Sequence, residues 1–202
     1  MKYPLKNKKI INLNNNKKNN FFIQLSPKKN YIKKNLGLNL EKDINLTNLF
    51  YKKQNIALIF KNEIPVKITK VEYPKRQKAK IVQAYFNSNS LPDYHGLYRG
   101  RYLSFDTKET NHKTNFSLNN IPLHQIENLK KINKLNGIAF FIIHFKFYNK
   151  YFYMPINFLT DFLKKNKNKS INYKIFEEKM FCIPYNYVPR LDYLKIVDKF
   201  IK

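Results

Sequence analysis

Apolar and polar positions change period several times along the chain, and each change predicts an element. From Asn39 onward, Leu40, Ile44, Thr47 and Tyr51 recur at helical spacing, which predicts an amphipathic helix with Glu41 in its first turn. Residues 54–60 form a short apolar strand, whereas residues 61–89 are too charged to bury. Alternation around glycine over residues 92–110 predicts a β-hairpin. Residues 121–136 return to helical spacing, with Ile126, Leu129 and Ile132 inward and Gly137 as the stop. Residues 137–147 and 150–156 read as strands, the first built on the apolar run 138–143, and residues 191–201 as a closing amphipathic helix. Helix, acid-bearing strands, helix, strand is an α/β order: a mixed sheet flanked by helices.

At 202 residues and 24.4 kDa, 43% hydrophobic, the chain can bury one real core. Residues 1–30 contain KNKKIINLNNNKKNN, too polar to bury, and are expected to form a disordered basic arm. A net charge of +26 implies a polyanionic partner, nucleic acid above all, although an AT-rich coding bias inflates it. Of 39 lysines and arginines only four are arginine, and two of those, Arg99 and Arg101, fall beside Gly96 and Gly100. Where lysine is the default, arginine suggests bidentate phosphate contact, and glycine a turn with positive φ. Cys182 is the single cysteine, which excludes an intramolecular disulfide and a cysteine-rich zinc site and points to a reduced, cytoplasmic setting. Its apolar surroundings predict a buried small hydrophobe. His95, His112, His124 and His144 do not fall at zinc-ligand spacing, and His144 is expected in the core. No apolar run reaches membrane-spanning length, and the basic amino terminus lacks the apolar stretch of a signal peptide.

The candidate chemistry lies in PDYHGLYRGRYLSFDTKET. In a strand, Asp106 and Lys108 face the same side, and Asp93, one hairpin earlier, can converge on them. Two carboxylates beside an ammonium suit phosphodiester hydrolysis. The acids hold a hard cation, and the lysine stabilises charge developing on phosphoryl oxygens or acts on the attacking water. The segment 61–89 interleaves lysines with Tyr73, Tyr85 and Phe86, supplying cations for phosphates and rings for exposed bases.

With these residues in view, the chain resembles the RecU family of Holliday junction resolvases. The likeness runs from about Leu40 to the carboxyl end through LEKDINLTN, VEYPKRQ, DYHGLYRGRYLSFDTKETNHKT, HQIENL and YVPRLDYL. The resemblance implies a restriction-endonuclease-like fold, a homodimer, Mg2+ or Mn2+ as cofactor, and paired symmetric cuts in four-way junction DNA during recombination and repair. Position by position, it makes Asp93 and Asp106 metal-binding acids, Lys108 the transition-state stabiliser, Gln125 a further group near the metal, and Glu41 an acid acting through water. It also makes residues 61–89 a stalk inserted into a nuclease domain spanning 31–202. The expected DNA contacts are Lys75, Arg76, Lys78 and Phe86 on the stalk, Arg99 and Arg101 at the hairpin, and Lys113 after it. A recombinase is a further expected partner, with the nucleoid as the place of action and no membrane association. Two positions depart from the family pattern: Asp106 stands where glutamate is usual, and Leu91 where threonine is common. The rival reading is a non-catalytic basic nucleic-acid-binding protein, and a second keeps the nuclease but directs it to ordinary duplex DNA. Acids facing a phosphate groove separate the first rival, since without a metal they repel DNA.

Overall fold

The computed structural model describes residues 39–63, 65–75, 78–86, 91–166 and 168–201. The arm expected over residues 1–30 and the side chain of Arg76 lie outside them. Helix α1 (Leu40–Lys53) starts at Asn39, whose side chain accepts the Lys42 N–H, and it buries Leu40, Ile44, Thr47 and Tyr51, the face that the spacing predicts. Asn55, at φ 54, adopts the left-handed conformation that stops it. The strand expected over 54–60 therefore begins only at Leu58, as β1 (Leu58–Lys61).

Among the described residues β2 (Val66–Glu72) and β3 (Lys80–Phe86) pair only with each other, while β4 (Tyr94–Tyr98) and β5 (Arg101–Thr110) form the predicted hairpin. β6 (Asn115–Ser117) and a 3-10 turn lead into α2 (Leu123–Lys134), followed by β7 (Ile138–Phe145) and β8 (Lys150–Pro155). Next come α3 (Ile156–Lys165), β9 (Ser170–Asn172), α4 (Tyr173–Lys179) and β10 (Phe181–Ile183). The expected closing helix is shorter than its pattern: α5 (Leu194–Val197) passes into a 3-10 turn over Asp198–Phe200.

Six strands form one mixed sheet in the order β1-β4-β5-β7-β8-β10. β5 and β7 are parallel because α2 crosses between them, and the other neighbours are antiparallel. One core, with Leu40, Ile44, Phe105, Phe140 and Tyr193, joins the sheet to α1 and the carboxyl-terminal turns. The second, with Leu129, Phe141, Ile143, Phe152 and Phe176, joins the opposite face to α2, α3 and α4. The mixed sheet flanked by helices is the fold class that the sequence implies.

Two expectations change. Gly100 (φ 73) and Arg99 (φ 47) make the positive-φ turn, but Gly96 lies within β4, where a Cβ would stand 2.1 Å from the Leu58 carbonyl oxygen. That glycine serves close strand approach. Cys182 is exposed rather than buried. It sits on β10, which pairs only with β8 at the sheet edge, and alternation along the strand sends Ile183 inward and Cys182 outward.

Candidate active site

Strand alternation sets the site. Leu103 and Phe105 of β5 enter the α1-side core, so Ser104, Asp106 and Lys108 face the side covered by α2. The hairpin register pairs Tyr94 with Phe105, which brings Asp93, just before β4, alongside Asp106. The aspartates then hold each other's strand. The Asp93 N–H donates to Asp106 Oδ1 at 3.0 Å, and the Thr107 N–H donates to Asp93 Oδ2 at 3.2 Å. Lys108 Nζ stands 4.0 Å from Asp106 Oδ1. Asn62, which the sequence did not single out, secures the approach by donating its N–H to the Asp93 carbonyl at 2.8 Å.

Asp106 is fully buried, and burial, with the negative charge of Asp93, pushes its carboxyl up to about 7 against the opposing pull of Lys108. Its Oδ2 is buried without a hydrogen-bond partner, and so is Oε1 of Gln125 in the first turn of α2. Two adjoining carboxylates and two orphaned oxygens on packed neighbouring elements form an oxygen-rich donor set suited to a hard divalent cation. Because the folded pKa exceeds the usual 3.8, stability is present below about pH 4 and is lost as pH rises through about 7. Asp106→Asn should therefore raise Tm of metal-free protein at pH 8, by about 2–4 °C per kcal/mol of relieved charge burial, with no gain at pH 4. Thermal denaturation at both pH values checks this.

Glu41 sits at the rim. It is exposed and pairs with Lys61 at 2.5 Å, and burial, then the charges of Glu41 and Asp93, push the hydroxyl of Tyr94 up. Glu109 anchors the helix that carries Glu41. It accepts the Leu40 N–H at 3.2 Å and meets Lys146 at 2.6 Å and His144 Nδ1 at 3.2 Å. Burial opposes its ionisation, yet the bonds from Lys146, His144 and Leu40 hold its carboxyl below the ordinary range. His144 is in the core, as expected, stacked 4.1 Å from Tyr151. Glu109 follows Lys108 directly, so its place in the motif was visible, but its task depends on a helix 69 residues away.

The remaining predicted contacts divide. β2 and β3 are exposed along almost their whole length, with Phe86 80% and Tyr73 71% exposed, and Lys75 and Lys78 are exposed in the segment between them. Lys113 is exposed just beyond β5 and lies 4.1 Å from the Phe147 ring centre. Arg99 and Arg101 lie at the hairpin turn, the opposite end of β5 from Lys108, and Arg99 pairs with Asp198 at 3.2 Å. The structure does not bring these two arginines to the acids.

Comparison with known proteins decides the family. The family model described as Recombination protein U, RecU, matches residues 35–199. The chain belongs to the RecU family. Proteins named Holliday junction resolvase RecU from Staphylococcus aureus strains JH9 and COL are each 46% identical to it over 168 residues, covering 82% of this chain and 81% of theirs. Among solved structures, Hjc, a Holliday junction resolvase from Archaeoglobus fulgidus, aligns with a TM-score of 0.41 at 11% identity, covering 68% of this chain and 88% of that one. Within the RecU family frame, Asp93, Asp106, Lys108 and Gln125 all lie on β5, beside it, or on the helix packed against it.

Proposed function

We propose that this chain is a Mg2+-dependent endonuclease, with Mn2+ as an alternative metal, that resolves four-way DNA junctions by paired symmetric cuts in recombination and repair. The observation that carries this is the buried Asp106 carboxyl in reciprocal contact with Asp93, an arrangement unfavourable for two anions alone and favourable around a cation. Asp93, Asp106 and Gln125 Oε1 would hold the metal. Bound there, it supplies Lewis acidity and an activated water. Lys108 supplies positive charge at the phosphoryl oxygens, and Glu41 orders water at the rim. A non-catalytic binding protein leaves the two adjoining acids without a purpose.

A homodimer is supported by an apolar patch. Leu58, Phe60, Leu97 and Tyr102 share one sheet face by register and are 42%, 45%, 53% and 46% exposed, beside an edge of β1 that pairs with no strand among the described residues. The β2–β3 hairpin acts as the stalk, with Lys75, Arg76, Lys78 and Phe86 meeting branched DNA, while Lys113, Arg99, Arg101 and the arm over residues 1–30 add phosphate contacts. The cytoplasm, at the nucleoid and in company with a recombinase, is the setting this reading implies.

Cleavage of junction and duplex substrates with and without Mg2+ tests it. The parent should cut the junction only with metal, in symmetric pairs. In gel-shift titrations of the same substrates, Phe86→Ala should lower the junction-to-duplex affinity ratio roughly tenfold, since a lost base stack is worth about 1–3 kcal/mol, and the pair Lys75→Ala, Lys78→Ala should lower it in the same direction by removing phosphate contacts. Equal weakening on both substrates would reduce the stalk to a nonspecific basic surface.

A further inference from the structure

α2 runs from the candidate active site toward a second, basic concavity. A cavity of about 470 Å³ separates α2 from α3, walled by Lys130, Lys131 and Lys134 with one acid, Glu127, on one side and by Thr160 and Lys164 on the other. Lys131 and Lys134 have no acidic partner among the described residues. Lys130 and Lys164 pair only with Glu127 at 2.9 Å and Asp161 at 3.8 Å, exposed contacts within one helical turn that hold a lysine weakly. Between the walls, Asn133 Nδ2 donates to Asn157 Oδ1 at 2.9 Å, a polar floor able to meet phosphate and sugar oxygens. The groove is not isolated. Lys131 also lines a neighbouring cavity of about 330 Å³, bounded by Asn62, Pro92 and His95, which flank Asp93.

We propose that the α2–α3 groove is a second DNA surface, holding the phosphate backbone of a junction arm a few nucleotides from the cut. It rests on the junction-endonuclease reading and specifies where that substrate's arm runs. A concave cluster of mutually repelling ammonium groups favours a polyanion, which relieves the repulsion and releases counterions. Distance fits as well. Along the α2 axis, Lys131 and Lys134 lie about 9 and 14 Å from the level of Gln125, a separation that a few nucleotides of one strand span.

The test compares two triple variants of the full chain with the same charge change. Lys131→Ala, Lys134→Ala, Lys164→Ala empties the groove, whereas Lys169→Ala, Lys174→Ala, Lys179→Ala removes three lysines elsewhere. Affinity for a four-way junction is measured against salt, with normal phosphates and with uncharged methylphosphonates at the third and fourth positions on either side of the cut. The groove variant should lower the slope of log affinity against log salt by about 2–3, and the control by less than about 1. Its loss should shrink on the methylphosphonate junction, because protein and DNA charges there are partners. Equal losses from both triples, or a groove effect unchanged by neutral phosphates, would overturn the proposal. The control triple is expected to cut saturating junction at the parental rate. A parent that cuts no junction with Mg2+ sinks the endonuclease reading instead.

Discussion

Asp106→Ala is expected to abolish junction cleavage, by roughly a thousandfold or more, while junction affinity stays unchanged or rises. Two effects separate cleanly at this residue. Its carboxylate is the most buried of the candidate ligands, with one oxygen tied to the Asp93 N–H and the other without a protein partner, so its removal strips the proposed cation site of its most enclosed donor. The same removal deletes a negative charge facing the incoming phosphate, which favours binding. Junction cleavage and gel-shift affinity, measured on the same preparations, check both halves. Equal cleavage by variant and parent would falsify the assignment. Asp106→Glu installs the longer acid that the family resemblance leads one to expect at this position. Its extra methylene enters a fully buried position, so a change in metal preference or rate is the expected sign that the shorter acid sets the geometry.

The largest effect on stability is expected at Gly96. A Cβ there would lie 2.1 Å from the Leu58 oxygen and 2.7 Å from Ile59 Cα, both backbone atoms, which yield only if β1 moves off β4. Gly96→Ala should cost about 3 kcal/mol or more, a fall in Tm of about 6–12 °C. Gly100→Ala is the contrast. It meets nothing within 4 Å and bears only the left-handed backbone penalty, about 1–2 kcal/mol. A displaced β1 also loosens Lys61 from Glu41 and Asn62 from the Asp93 carbonyl, so cleavage by Gly96→Ala should fall as well. Thermal denaturation of the two variants, with cleavage below both melting points, measures the difference. Equal melting temperatures would mean that β1 and β4 are not in the close contact described.

The sequence by itself determined what depends on local period and residue type. Helical spacing from Asn39 located α1 and its buried face, because burial of one stripe is the chief reason such a helix forms. Alternation placed Asp106 and Lys108 on one side of β5, since side chains in a strand alternate by geometry alone. Quoted motifs supplied the family resemblance, and the matching of residues 35–199 bears it out. Beyond residue 156 the expectations hold no helix before the closing one, although Ile156, Leu159 and Phe162 of α3 recur at helical spacing. α4 is only seven residues long, and its Phe176 is buried by Phe116, Phe145 and Phe152 from three strands that come together only in the fold.

Tertiary structure alone decided the relations between distant residues. That Gly96 serves a strand contact rather than a turn follows from β1 lying against β4, and that Cys182 faces outward follows from β10 lying at a sheet edge. The exchange of hydrogen bonds between Asp93 and Asp106 needs the hairpin register, and the anchoring of α1 by Glu109 needs a helix and a strand that are far apart in the chain. A side chain's chemistry is written in its type, but its partners, burial and pKa are set by groups that only the folded chain brings within a few ångströms.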